Sequence, residues 1–173
     1  MHFSLYSALI PSYIQTLRAM CALVDKAEIF CVQNNLSDFA LMEARLAADM
    51  RPFSYQIRST AMHSIGALEG VSAGTFSPWS TVMPDTFSGL RKIIEDAVTK
   101  ISLITPESID EVVGKSVTFI EDGEIVNFLS ENFLTCFSQP NFYFHATTAY
   151  AILRAEGVPL RKADFTGFRA ITM

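Results

Sequence analysis

Two histidines carry most of the chemical interest in this sequence. His63 lies in a segment where Gln56, Thr60 and His63 step by four and three residues, and so share one face of a helix with Ser59 beside them. His145 follows Asn141 by four residues in the aromatic run Asn141-Phe142-Tyr143-Phe144-His145, which makes those two neighbours on a second helical face. Imidazole nitrogens from two facing helices can hold one divalent ion in a dry interior. Asn141, Gln56 or the carboxylate of Asp49 would complete its shell, with Asp49, Gln56 and Thr60 forming the polar pocket. The alternative is structural: each histidine is an amphipathic core residue whose nitrogen is satisfied by a nearby carbonyl or carboxylate. Other chemistries have thinner support. There is no Gly-x-Ser-x-Gly elbow, no glycine-rich phosphate loop and no Cys-x-x-Cys.

Long helices are needed to present these faces, and the hydrophobic pattern supplies them. Apolar residues at Ile14, Leu17, Met20, Cys21, Val24, Ala27 and Cys31 predict a helix from Pro11 to about Gln33, stopped at Asn34-Asn35. A short helix follows, capped at Ser37-Asp38 and running through Leu46. The helix bearing His63 is predicted from Pro52 to about Leu68, with Gly70 as its end. A loop from Ala73 to Asp85 carries Phe76 and Trp79 as packing anchors. Phe87, Leu90, Ile94, Ala97, Ile101 and Ile104 mark a third long helix, and Thr105-Pro106-Glu107 opens a short one ended by Gly114.

From about residue 115 to 128 the period changes to two. Asp122-Gly123 is the signature of a type I′ hairpin turn, which sets Phe119 opposite Val126, Val117 opposite Phe128 and Thr118 opposite Asn127. Ser130 then caps the helix that bears His145, bent or restarted near Pro140 and stopped by Gly157 and Pro159. Four apolar stripes predict an all-α four-helix bundle with a small β-hairpin inserted before the last helix, as one domain over residues 1–173. The tail, with Arg161, Lys162, Phe165, Phe168 and Arg169, is expected to pack on the bundle or on a second subunit.

Composition narrows the function classes. With 173 residues, fourteen of them Phe, the chain can bury a sizeable core without staples. Its net charge of −5 and scattered basic residues argue against nucleic acid as a partner. No apolar run approaches the ~20 residues of a membrane span, and Met1-His2-Phe3-Ser4-Leu5 lacks a basic leader, so no membrane association is expected. Cys21, Cys31 and Cys136 are read as free thiols of a cytoplasmic protein. The surplus of aromatics predicts a homo-oligomer, as a two-fold dimer.

The run Pro140-Asn141-Phe142-Tyr143-Phe144-His145, with Thr147-Thr148-Ala149-Tyr150, Ile152-Leu153-Arg154, Gly157-Val158-Pro159-Leu160 and Asp164-Phe165, resembles a bacterial family of unknown function grouped with the DinB/YfiT-like metalloenzymes. Arg45-Leu46, Asp49-Met50 and Gln56 extend the likeness over nearly the whole chain. The resemblance implies a four-helix bundle and, for many members, a divalent metal such as zinc or nickel held by three histidines. In that pattern His63 matches the ligand on the second helix and His145 the last ligand, while Asn141 stands where the remaining histidine would be. Two functions follow: a protein of uncharacterised role with an altered metal or small-molecule pocket, or a metal-dependent transferase or hydrolase acting on a small or thiol-conjugated substrate.

Overall fold

The structure is a computed structural model and describes residues 4–167. Helix α1 spans Leu5–Asn34 and starts earlier than Pro11, because Ser4 and Ser7 form a capping box and Leu9 and Ile10 are buried in its first turns. Those contributions outweigh the one backbone bond that Pro11 cannot make. Asn35, in the left-handed conformation at φ 53°, ends the helix where expected. The short helix α2 covers only Asp38–Met42.

The next segment runs as α3 (Phe53–Ala61), a wide π turn π1 (Met62–Gly66) and α4 (Ala67–Ala73). It passes through Gly70 and ends at Gly74, whose φ of 76° suits a left-handed cap. Gly70 therefore marks a close approach rather than a stop: a Cβ there would sit 2.9 Å from that of Phe76. Phe76 belongs to β1 (Thr75–Phe76), which pairs parallel with β2 (Ser116–Glu121) and makes the expected hairpin a three-stranded sheet. Two residues are too few for any periodicity to announce a strand.

Helix α5 (Phe87–Ile101) is capped by Thr86, and α6 (Pro106–Asp110) by Thr105. The register of β2 with β3 (Glu124–Leu129) is the one the turn predicts, pairing Val117 with Phe128, Thr118 with Asn127 and Phe119 with Val126. Asp122 and Gly123 both have positive φ, 48° and 87°, as a type I′ turn requires. Val117 and Phe119 bury their side chains, whereas Val126 remains exposed.

The last long segment comprises α7 (Ser130–Asn132), a second wide turn π2 (Phe133–Ser138) and α8 (Gln139–Ala155). Ser130 does not cap it; both its N–H and its hydroxyl donate to Lys115 O and tie the helix start to the hairpin. The π turn lies just before Pro140, which has no N–H to give to a regular α ladder. At the other end Val158 N–H reaches Leu153 O and Gly157 N–H reaches Arg154 O, a Schellman stop.

The architecture is mainly helical. Helix α1 packs chiefly on α5, α3 chiefly on α8, and the α3–α5 and α1–α8 contacts close the remaining sides. The tail forms α9 (Lys162–Thr166) and packs on α1, where Asp164 pairs with Lys26 at 2.7 Å and Thr166 O accepts from Gln15. Phe168 and Arg169 lie outside the described residues.

Candidate functional site

His63 sits in π1 and is buried, while His145 sits in the middle of α8 and is half-buried. The packing of α3 on α8 brings their imidazoles to 5.5 Å between centroids, with ring planes within 12° of parallel. Since Zn–N bonds are ~2.0–2.1 Å long, rings this close lie within reach of one shared ion.

Each ring is held by its Nδ1. Gln56 Nε2 donates to Arg51 O at 2.9 Å, so the amide turns its Oε1 toward His145 Nδ1 at 2.7 Å. An amide oxygen only accepts, and the proton of His145 is therefore on Nδ1. For His63 the partner is Ser138, the last residue of π2. Its hydroxyl donates to His63 O at 3.0 Å and, with its single hydrogen spent, accepts from His63 Nδ1 at 3.3 Å. Both rings thus carry the lone pair on Nε2, and no hydrogen bond among the described residues engages either Nε2. This is the arrangement by which outer-shell groups orient metal-binding imidazoles.

The surroundings keep both rings uncharged. Phe76 and Phe137 each lie 5.9 Å from His63, and Tyr55 meets His145 edge-on at 6.0 Å. Burial, reinforced by the neighbouring His145, pushes the pKa of His63 down to about 3. Burial pushes that of His145 down to about 4. Near neutral pH both are neutral bases, the state a metal or an acidic ligand proton requires.

The other predicted residues divide. Thr60 is fully buried and donates to Gln56 O, so it braces the backbone of the pocket rather than lining it with a free hydroxyl. Asn141 is half-buried one turn before His145, and its amide donates to Phe137 O in the preceding turn π2 at 2.8 Å. Asp49 is exposed in the segment between α2 and α3, and no hydrogen bond among the described residues ties it to the pair. Among the described residues no group of three or more His, Cys, Asp or Glu side chains is poised around one ion.

Sequence reasoning missed Ser138 and the carbonyl of Arg51. Ser138 sits directly before Gln139-Pro140, where a disrupted ladder is the only hint that its helix would approach another closely. A main-chain carbonyl has no residue-type signature at all.

Residues 5–166 match the family described as Domain of unknown function (DUF1993). The chain belongs to the DUF1993 family. No curated protein matches this DUF1993 member. Among solved structures it is similar to the crystal structure of a DinB family member protein from Shewanella denitrificans, with 23% identity over 94% of this chain and 91% of that one, at a TM-score of 0.78. That likeness supports a DinB-like fold for this DUF1993 chain. Among the described residues no helix is long and apolar enough to cross a membrane.

Proposed function

We propose that this DUF1993 chain is a DinB-type four-helix-bundle protein whose His63–His145 pocket is an altered site for a divalent metal or a small ligand. One observation carries the reading: two neutral imidazoles, each anchored through Nδ1, approach to 5.5 Å with both Nε2 lone pairs unclaimed. A merely structural pair accounts for the Nδ1 bonds but not for two neighbouring Nε2 atoms left without partners.

The donor set fits two positions of a zinc or nickel site. It fits the third weakly, because Asn141 offers a neutral amide oxygen where an imidazole would bind far better. A bound divalent ion would supply Lewis acidity, lowering the pKa of a water or thiol or polarising a carbonyl. The chain's own part is to hold the two rings in one tautomer and to exclude water with Phe76 and Phe137. The same orientation of the Nε2 atoms favours the second reading, a metal-dependent transferase or hydrolase acting on a small or thiol-conjugated substrate. Self-association is part of the proposal as well and is read by mass in solution.

Asn141→His tests the pocket. Calorimetric titration with zinc is expected to give at least about tenfold tighter binding than the wild type, and His63→Ala in the same background is expected to abolish the gain. Equal affinity in Asn141→His and the wild type would show that the rings do not converge on a common ion, and the proposal would be withdrawn.

A further inference from the structure

Arg58, on α3, is 93% enclosed, being 7% exposed, and among the described residues no carboxylate pairs with it. A guanidinium presents five N–H donors and cannot shed its charge. Here it finds the Trp79 carbonyl, the Thr81 hydroxyl at 3.4 Å and the thioether of Met83 at 3.1 Å, while Nε has no partner. A thioether is a weak acceptor, and a buried charge so poorly matched is costly.

Arg58 does not itself line a cleft; its weak acceptor Met83 is what separates it from one. Met83 also lines a cleft of about 380 Å³ at the start of α3, within the size range of small-molecule sites. Ser54, one turn before Arg58 on the same face, lines it too, and its hydroxyl is not among the buried unpaired groups, so it is open to the cleft. Arg51 and Arg45 stand at the rim. Two carboxylates share that rim. Glu43 is paired with Arg45 at 3.0 Å and Asp85 is exposed to solvent; among the described residues neither forms an ion pair with Arg51 or Arg58. At the helix start Pro52, the N-cap, has no side-chain acceptor; Phe53 N–H is taken by Ala44 O at 2.9 Å, which leaves the N–H groups of Ser54 and Tyr55.

We infer that this cleft is an anion subsite: the carboxylate or phosphate of a small molecule displaces the Met83 thioether and pairs with Arg58, with Ser54 and Arg51 as further donors. Methionine is flexible enough to leave without backbone change. A bidentate guanidinium–oxyanion pair would supply the strong acceptors Arg58 now lacks. The cleft adjoins the histidine pocket through Tyr55, which lines the cleft, lies 5.3 Å beneath the Arg51 guanidinium and meets His145 edge-on. A ligand anchored here would extend toward the imidazoles, but its anchoring does not depend on any metal.

The test is calorimetry on chelator-treated protein, titrated separately with malonate and inorganic phosphate at ionic strength held constant with chloride. Saturable one-to-one binding of at least one probe is expected, and whichever binds identifies the ligand group as carboxylate or phosphate. Met83→Ala, which removes the competing thioether, should tighten binding about three- to tenfold. Ser54→Ala should weaken it several-fold, and Arg58→Met, folded by circular dichroism, at least about tenfold. If Arg58→Met does not fold, the opposite signs of the Met83 and Ser54 variants still decide the matter. Lack of saturable binding of either probe, or unchanged affinity in Met83→Ala, overturns the inference. Because no metal is present, either result leaves the zinc titrations of Asn141→His to be judged separately.

Discussion

His63 and Arg58 lie five residues apart on one continuous helical segment, and both are buried, yet burial resolves their charges in opposite ways. The imidazole gives up its proton and settles among aromatics with a hydroxyl at its Nδ1. The guanidinium keeps its charge, which desolvation disfavours, and ends up under-matched by a carbonyl, a hydroxyl and a sulfur. A polar group that can neutralise itself is held by one hydrogen bond at Nδ1 and keeps its other nitrogen uncharged. One that cannot stays charged at a cost, which is the observation the proposed anion subsite rests on.

Acid should break this comparison most visibly. His63 and His145 have folded-state pKa values depressed to about 3 and about 4, below the ordinary 6.5. Below about pH 6.5 the unfolded chain binds more protons than the folded one, so stability is fully present above that pH and declines as pH falls, through about 4 for His145 and about 3 for His63. The loss should reach a few kcal/mol, while Arg58, charged in both states, contributes nothing to the slope. Urea midpoints measured across that range check it, and a flat profile would mean the imidazoles are not held neutral.

Next in size is Gln56→Leu. It strands His145 Nδ1–H and the Arg51 carbonyl without partners and should cost about 1–3 kcal/mol. Gln56→Glu sharpens the point, because a carboxylate at the same Nδ1 favours imidazolium and should raise the His145 pKa, as followed by NMR of the ring carbons. No upward shift would mean that Gln56 does not face the ring.

Gly70→Ala probes the packing beneath the pocket. Its Cβ would press on Phe76, which lies against His63, and should cost about 1–2 kcal/mol while weakening any zinc binding of the Asn141→His background. Thermal unfolding and calorimetry read the two effects. The smallest change is expected at Gly123→Val, where φ is 87° and no atom crowds the site. It should cost on the order of 1 kcal/mol through backbone strain alone and leave zinc and anion titrations as in the wild type.

Much of the fold was legible because its signals are local. The apolar stripes of α1, α3, α5 and α8 repeat at helical spacing, the start of α5 at Asp85 or Thr86 and the cap at Thr105 are chemical, with the structure choosing Thr86, and the Asp122-Gly123 turn dictates its own register. Local rules misled where a residue answered to a distant partner. Gly70 looked like a helix end but admits Phe76, Ser130 looked like a cap but bonds Lys115, and Pro11 looked like a start but is carried inside α1 by burial on either side.

The site divides in the same way. Helical spacing put Gln56, Thr60 and His63 on one face and Asn141 with His145 on another, and periodicity alone could reach that far. Which faces meet is decided by helix packing. The approach of π1 to π2 puts Ser138 on His63, the packing of α3 on α8 puts Gln56 on His145, and burial then removes both protons. For Arg58 the sequence specified only a charge on a helix. Its enclosure without an acid is a property of the loop that folds Trp79, Thr81 and Met83 over it, because desolvation and partnership depend on every neighbour in space and not on spacing along the chain.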